Sequence, residues 1–176
     1  IIEGLKKYLD KVVLGYTMAN KEYKKAVCNW MKKRHDFDIQ EDWIVNTAGV
    51  VPAFFNAIQE FTKEGDGVII MTPVYYPFFN AINLQNRKLI DCPLIEKDGK
   101  YYIDYELFDK LSQEPKNKVL LFCSPHNPVG RVWTKEELKK LSDIILKNEV
   151  LLLSDEVHFD IIKMSLNIFF QDETIL

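Results

Sequence analysis

The stretch Val150-Leu151-Leu152-Leu153-Ser154-Asp155-Glu156-Val157-His158 decides the fold class. An unbroken apolar run, then a polar residue, two carboxylates and a histidine, reads as a buried strand that ends in a site. A parallel strand covered on both faces has this continuous pattern, whereas a half-exposed strand alternates. In open α/β sheets, ligands lie outside the carboxyl ends of such strands, and Asp155 stands at that end. A carboxylate there loses water and needs a cationic or hydrogen-bonding partner. Its plain alternative is to cap the helix that follows. The stretch Val119-Leu120-Leu121-Phe122-Cys123-Ser124-Pro125-His126-Asn127-Pro128-Val129-Gly130 has the same build. Two apolar strands with polar, turn-rich ends, one helix apart in sequence, suggest one shared crevice.

Thr134-Lys135-Glu136-Glu137 is a capping box. It opens a helix over 135–148 with Leu138, Leu141, Ile144 and Ile145 on one face. Further out, 119–122, 88–95 and 68–71 are expected strands, with Gly65-Asp66-Gly67 as a turn. Lys97-Asp98-Gly99-Lys100 reads as a hairpin, and 104–111 as a helix with Leu107, Phe108 and Leu111 inward. Trp43-Ile44-Val45-Asn46-Thr47 reads as a short strand running through Ala48-Gly49-Val50-Val51-Pro52 into a helix that carries Phe54, Ala57, Ile58 and Phe61. Strand, glycine turn, helix start is a geometry that cradles phosphate, because free N–H groups of the first turn point at an anion. A glycine turn with no ligand is the alternative. Tyr75, in Thr72-Pro73-Val74-Tyr75-Tyr76-Pro77-Phe78, can stack on a flat ligand. Core filling is the other use of such aromatics, Tyr76, Phe78 and Phe79 above all. Residues 1–14 and 21–34 are expected helices, with Gly15 stopping the first and Asn20 capping the second, whose apolar side carries Tyr23, Val27, Trp30 and Met31. Alternating helices and strands give an α/β fold with a mostly parallel sheet.

The chain has 176 residues, enough for one substantial core. Apolar residues make up 47% and charged residues 28%, with a net charge of −3 and both signs interspersed. That argues against a nucleic-acid footprint, which needs a basic stripe. Lys32-Lys33-Arg34-His35 closes a helical segment, where cations complement the dipole. No apolar run of about 18 residues is present to span a membrane. Cys28, Cys92 and Cys123 are scattered and odd in number, as in reduced cytoplasmic proteins, and the three histidines are dispersed, which argues against a zinc site. The chain starts without Met inside a helical pattern and ends without a turn or cap, so both ends read as cuts through a longer protein.

Taken together, Gly15-Tyr16-Thr17, Thr47-Ala48-Gly49-Val50-Val51-Pro52, Pro73-Val74-Tyr75-Tyr76-Pro77-Phe78, Ser124-Pro125-His126-Asn127-Pro128-Val129-Gly130 and Ser154-Asp155-Glu156-Val157-His158 resemble the pyridoxal-phosphate enzymes of the class I/II aminotransferase superfamily. The likeness is nearest to their cystathionine β-lyase, or cysteine–sulfur lyase, branch and runs over about residues 1–163. It implies a three-layer α/β/α large domain, truncated here: an N-terminal helical segment over 1–40, a partial cofactor-binding domain over 41–163 and a divergent tail over 164–176. It implies pyridoxal 5′-phosphate as cofactor. Asp155 then pairs with the pyridine nitrogen, Asn127 donates to the phenolic oxygen, and Tyr75 stacks on the ring. Gly49 with the N–H groups of Val50 and Val51 forms the phosphate cup. Tyr16 reaches the phosphate of a neighbouring subunit in a homodimer, and His158 is a second donor to the phenolic oxygen, or else a core or capping histidine.

The departures matter as much as the matches. The superfamily's Schiff-base lysine lies beyond the strand after Asp155, in a Ser-Lys stretch. Lys163 follows Asp155 too closely to be that residue, and Ser165-Leu166-Asn167 does not match. The carboxylate-binding arginine of the C-terminal small domain is missing too. A frameshift or a truncated gene model produces such a tail. The resemblance therefore implies the front part of a carbon–sulfur β-lyase for cystathionine- or cysteine-type amino acids, itself inactive. A class I/II aminotransferase shares the same residues. A non-catalytic regulatory binding protein is the reading of another class, and no surface motif marks it.

Overall fold

The computed structural model describes residues 1–162; Lys163 and the tail 164–176 lie outside the described residues. Four strands, β1 (Gly67–Ile70), β2 (Lys88–Asp91), β5 (Asn117–Cys123) and β6 (Leu151–Asp155), form one sheet in the order β2-β1-β5-β6. Every pair in it is parallel. A separate antiparallel hairpin joins β3 (Ile95–Lys97) to β4 (Lys100–Tyr102) through the expected turn. Two helical layers cover the sheet, because strand side chains alternate between its faces. Val68, Ile70, Val119, Leu121 and Cys123 pack with Phe54 and Ile58 of α3 (Val50–Phe61) and with Phe78, Ala81 and Ile82 of α4 (Pro77–Asn83). Ile69, Leu120 and Phe122 pack on the other side with Phe108 of α5 (Tyr105–Ser112) and with Leu138, Leu141 and Ile145 of α6 (Lys135–Lys147). The three-layer α/β/α expectation holds.

Local signals work as their chemistry requires. Thr134 and Glu137 make the reciprocal capping box of α6. Asp104 accepts the Leu107 N–H to start α5, and Asn20 accepts the Tyr23 N–H to start α2 (Lys21–His35). Gly67 is required for a packing reason. The Asn117 side chain crosses directly over its Cα, so an added Cβ collides with Asn117 Oδ1 and approaches Ile90 Cγ1 to 2.9 Å. Asn117 is held there by donating from Nδ2 to the Leu111 carbonyl at 2.8 Å.

Several expectations are corrected. Residues 43–47 form no strand; a 3-10 turn (Glu41–Trp43) leads into irregular chain, and Val45 is 81% exposed. Its β-branched residues have no neighbouring strand to pair with. The strand expected over 88–95 breaks at Cys92-Pro93-Leu94 into β2 and β3, since Pro93 has no N–H to give a ladder. The first helix, α1 (Ile2–Leu9), ends well before Gly15. Helix α4 lies where the sequence pattern predicts no element; Pro77 opens it at the first turn, where a missing N–H costs nothing. The strand of the opening stretch is an edge strand among the described residues, and Leu151 is 37% exposed, so it is not covered on both faces. On α2, Tyr23 and Trp30 stay about half exposed, and His35 is its buried residue.

Replacing Gly67 with Ala forces the β1–β5 start apart. The expected cost is about 1–3 kcal/mol, seen as a lower urea midpoint at unchanged slope. An unchanged midpoint contradicts the packing role given to Asn117.

Candidate active site

The site forms where the β5–β6 ladder ends. Cys123 pairs with Asp155 as the last register step, and the Ser124 N–H donates to the Asp155 carbonyl at 3.0 Å. Just outside lies a cavity of about 440 Å³ lined by Val50, Val51, Tyr75, Cys123, Asn127, Asp155, Val157 and His158. Residues widely separated in the sequence meet here because each follows the carboxyl end of a parallel strand or opens the helix packed beside it. A second, apolar cavity of about 410 Å³ shares Asn127 and His158 and runs toward Val132, Ile161 and Ile162.

Asp155 is 7% exposed. Its Oδ1 accepts the Val157 N–H at 3.2 Å. Asp155 thus lines the cavity and closes a local turn; it does not cap the 3-10 turn Phe159–Ile161, whose N-cap is His158. Burial pushes its carboxyl above the ordinary aspartate range, against the pull of the Val157 N–H and of His158. No basic side chain other than His158 lines the cavity among the described residues. A buried carboxylate so lightly compensated is suited to receive a cationic or N–H group from a ligand.

Gly49 precedes α3 with φ 147° and ψ 170°, a conformation open essentially to glycine alone. No side chain caps this helix end, and its first turn carries no acid. Pro52 has no N–H, so the N–H groups of Val50 and Val51 are the donors the first turn presents. Thr47 Oγ1 steadies the turn by donating to the Gly49 carbonyl at 2.9 Å.

Asn127 is half-buried on a braced loop. Its N–H donates to Cys123 Sγ at 3.4 Å, the Cys123 thiol donates to the Pro125 carbonyl at 3.2 Å, and Trp133 Nε1 donates to the Cys123 carbonyl at 3.2 Å. Burial pushes the Cys123 thiol up to about 11, so it stays protonated as this small contact residue. The loop closes through His126 N–H to Arg131 O and Gly130 N–H to His126 O, both 2.8 Å. Tyr75 forms a side wall and packs edge-on to Phe78.

His158 is exposed at the rim, and the 3-10 turn after it (Phe159–Ile161) is clamped by α2. Asp160 accepts from Trp30 Nε1 at 2.9 Å and from His35 Nε2 at 2.8 Å, while the His35 ring stacks on Phe159. The N-terminal segment thereby buttresses the site. Tyr16 is fully exposed between α1 and α2 and does not reach this cavity. Of the eight residues named from sequence, Val50, Val51, Tyr75, Asn127, Asp155 and His158 line the cavity, Gly49 shapes its edge and Tyr16 stands apart. The sequence reading missed Cys123 and Val157 as lining residues. The period of two along β5, which sends Cys123 to the same face as Leu121, was the signal for the first.

The residues present fit a flat, anionic heteroaromatic group: a carboxylate for a ring nitrogen, an aromatic wall for a ring face, an amide for a ring oxygen and an uncapped helix end for a phosphate. Because burial raises the Asp155 pKa, the folded chain binds its proton more tightly than the unfolded chain does. The charged form therefore costs stability above the folded pKa, and that cost vanishes as pH falls toward the unfolded value of about 3.9. Asp155→Asn is accordingly expected to raise the melting temperature of the ligand-free chain at neutral pH, with the gain shrinking on acidification. A lower melting temperature at neutral pH contradicts this.

A family model described as aminotransferase class I and II matches residues 10–173. Cystathionine β-lyase PatB of Bacillus subtilis (strain 168) is 40% identical over 161 residues, 92% of this chain and 42% of that protein. Cystalysin from Treponema denticola, whose crystal structure contains a pyridoxal 5′-phosphate cofactor, matches with a TM-score of 0.96 and 63% identity over 99% of this chain and 45% of that chain. The pyridoxal-phosphate-bound C–S lyase of Staphylococcus hominis matches with a TM-score of 0.84 and 35% identity over 88% of this chain and 40% of that chain. The chain thus spans less than half the length of these relatives. With the site motifs inside the matched region, the chain belongs to the class I and II aminotransferase family.

Proposed function

We propose that this chain is the cofactor-holding portion of a pyridoxal-phosphate-dependent carbon–sulfur β-lyase acting on cystathionine- or cysteine-type amino acids, with thiol, pyruvate and ammonia as products. The observation that carries the proposal is the convergence of Asp155, Asn127, Tyr75 and the uncapped start of α3 on one cavity. The names of the lyase relatives support the reaction class.

Each residue has a role that its surroundings suit. The Asp155 carboxylate holds the ring nitrogen and keeps its proton in place, and the arriving positive charge relieves the cost of burying Asp155. The Asn127 amide donates to the phenolic oxygen, with His158 as a second donor at the rim. Tyr75 covers one ring face and excludes water from it. The Val50 and Val51 N–H groups hold the phosphate where Gly49 lets the backbone come close. In a homodimer, Tyr16 reaches the neighbouring subunit's phosphate. The bound cofactor supplies an electron sink for the electron pair left at the substrate α-carbon.

No lysine lines the cavity among the described residues. Among the described residues, the cavity therefore offers no amine to anchor the cofactor covalently or to move the α-proton from that position. Loss of the acid–base group alone costs roughly 10²–10⁴-fold, so the chain by itself is inactive. An aminotransferase is the second reading, because the matching family model bears that description. Amino transfer to 2-oxoglutarate by the full-length protein distinguishes it.

Pyridoxal phosphate added to the purified chain is expected to bind saturably, followed by its visible absorption. Borohydride treatment and mass mapping are expected to find no stoichiometric lysine adduct. Asp155→Asn weakens binding by about tenfold or more. A single stoichiometric adduct on one lysine contradicts the inactive-fragment reading, and equal affinity of the Asn variant contradicts the role given to Asp155.

A further inference from the structure

His126 is buried, 1% exposed, in the loop before Asn127. It lines the second cavity and takes no part in the roles assigned above. Its Nε2 lies 3.0 Å from the carbonyl oxygen of Pro73, across 53 positions of sequence. A carbonyl oxygen only accepts, so Nε2 carries the hydrogen. Its Nδ1 is buried with no hydrogen-bond partner among the described residues. A proton there would leave a buried N–H unpaired and add a full charge to the ring, which is costlier than a bare ring lone pair. Both observations select the same single form of the ring. Burial also lowers the imidazole pKa, against the pull of the backbone at Pro73, Met71 and Cys123, which keeps the ring neutral near pH 7.

The two ends of this hydrogen bond belong to different walls of the site. Pro73 lies two residues before Tyr75, and His126 adjoins Asn127. Each end is fixed to its own support. The His126 backbone is locked by its hydrogen bonds with Arg131 and Gly130, and its ring meets the Trp133 ring edge-on at 5.6 Å. On the other side, the Leu94 N–H donates to the Thr72 carbonyl at 2.7 Å. The Pro73–Tyr75 and Asn127 loops thus leave the neighbouring strands β1 and β5, whose last paired residues are Ile69 and Leu120, and beyond that ladder the His126 ring spans them.

We infer that His126, in its neutral Nε2–H form, is a positioning residue that fastens the loop carrying Tyr75 to the loop carrying Asn127. The bond sets the spacing between the ring-stacking wall and the amide donor. The consequence for cofactor affinity rests on the function proposed above; the link between the loops does not.

Three measurements on the 176-residue chain test this. In the ligand-free protein, the ring ¹⁵N spectrum of His126 shows Nε2 protonated and Nδ1 not; the opposite tautomer overturns the inference without any variant. His126→Phe keeps an aromatic ring between the same neighbours and removes the N–H, whereas His126→Gln retains an amide donor. Amide hydrogen exchange is expected to quicken about tenfold in His126→Phe, equivalent to about 1.4 kcal/mol, in both segments 72–76 and 123–131, with His126→Gln restoring protection. Faster exchange in 123–131 alone, or failure of Gln to restore it, overturns the link. Pyridoxal phosphate affinity is expected to fall about tenfold in His126→Phe and to recover in His126→Gln. If the parent chain itself binds no pyridoxal phosphate, the proposed function fails, while the tautomer and exchange results still decide this inference.

Discussion

The ladder between β5 and β6 is the constraint on which the site depends. These strands run side by side in register until Cys123 meets Asp155, and the Ser124 N–H on the Asp155 carbonyl is the last bond before they part. Beyond that point both strands lead into residues that line one cavity. A parallel sheet packed on both faces by helices leaves little room for polar groups along its strands, so chemistry gathers at their carboxyl ends. Asn127 follows β5 itself, the Tyr75 loop arrives from one further strand end, that of β1, and α3 arrives from the layer packed on Val119, Leu121 and Cys123.

The site holds charge and donors in reserve. Asp155 is buried with one local N–H as partner, and α3 opens with no cap. Each arrangement is unfavourable alone and becomes favourable when a ligand supplies the complementary group. Rigidity is supplied nearby instead. Cys123, Trp133 and His126 lock the Asn127 loop, and Arg131 braces it from outside by donating to the Tyr101 carbonyl at 2.8 Å and pairing with Glu137. The Asp160 clamp does the same for the rim, using Trp30 and His35 of α2. The Asp155 carboxylate and the α3 start thus face the cavity with little compensation, while most of the bracing atoms behind them are hydrogen-bonded.

Much of this was legible in the sequence, for physical reasons that vary by residue. The apolar runs before Cys123 and Ser154, the capping box at Thr134 and the turn at Asp98-Gly99 are local signals, and local signals survive into the fold. Asp155 and Tyr75 stand at or just past strand ends, which the apolar runs mark, whereas the role of Asn127 came from the family resemblance. What failed depended on neighbours. Residues 43–47 have strand-like side chains and no partner strand among the described residues, Pro93 splits one apparent strand into two, and Pro77 starts a helix where the sequence pattern predicts no element. The opening stretch has the apolar run of a central strand yet lies at the sheet edge among the described residues. The His126–Pro73 and Asp160–Trp30 contacts join distant segments, and no periodicity announces them.

The central claim is that Asp155 receives the nitrogen of a pyridine ring. The most direct measurement is the ¹⁵N chemical shift of ring-labelled pyridoxal phosphate bound to the chain, compared with the Asp155→Asn variant. A protonated ring nitrogen in the parent, lost in the variant at the same pH, is the result the account predicts. An unprotonated nitrogen in the parent, or identical shifts in both proteins, would mean that Asp155 does not hold the ring, and the site would need another occupant.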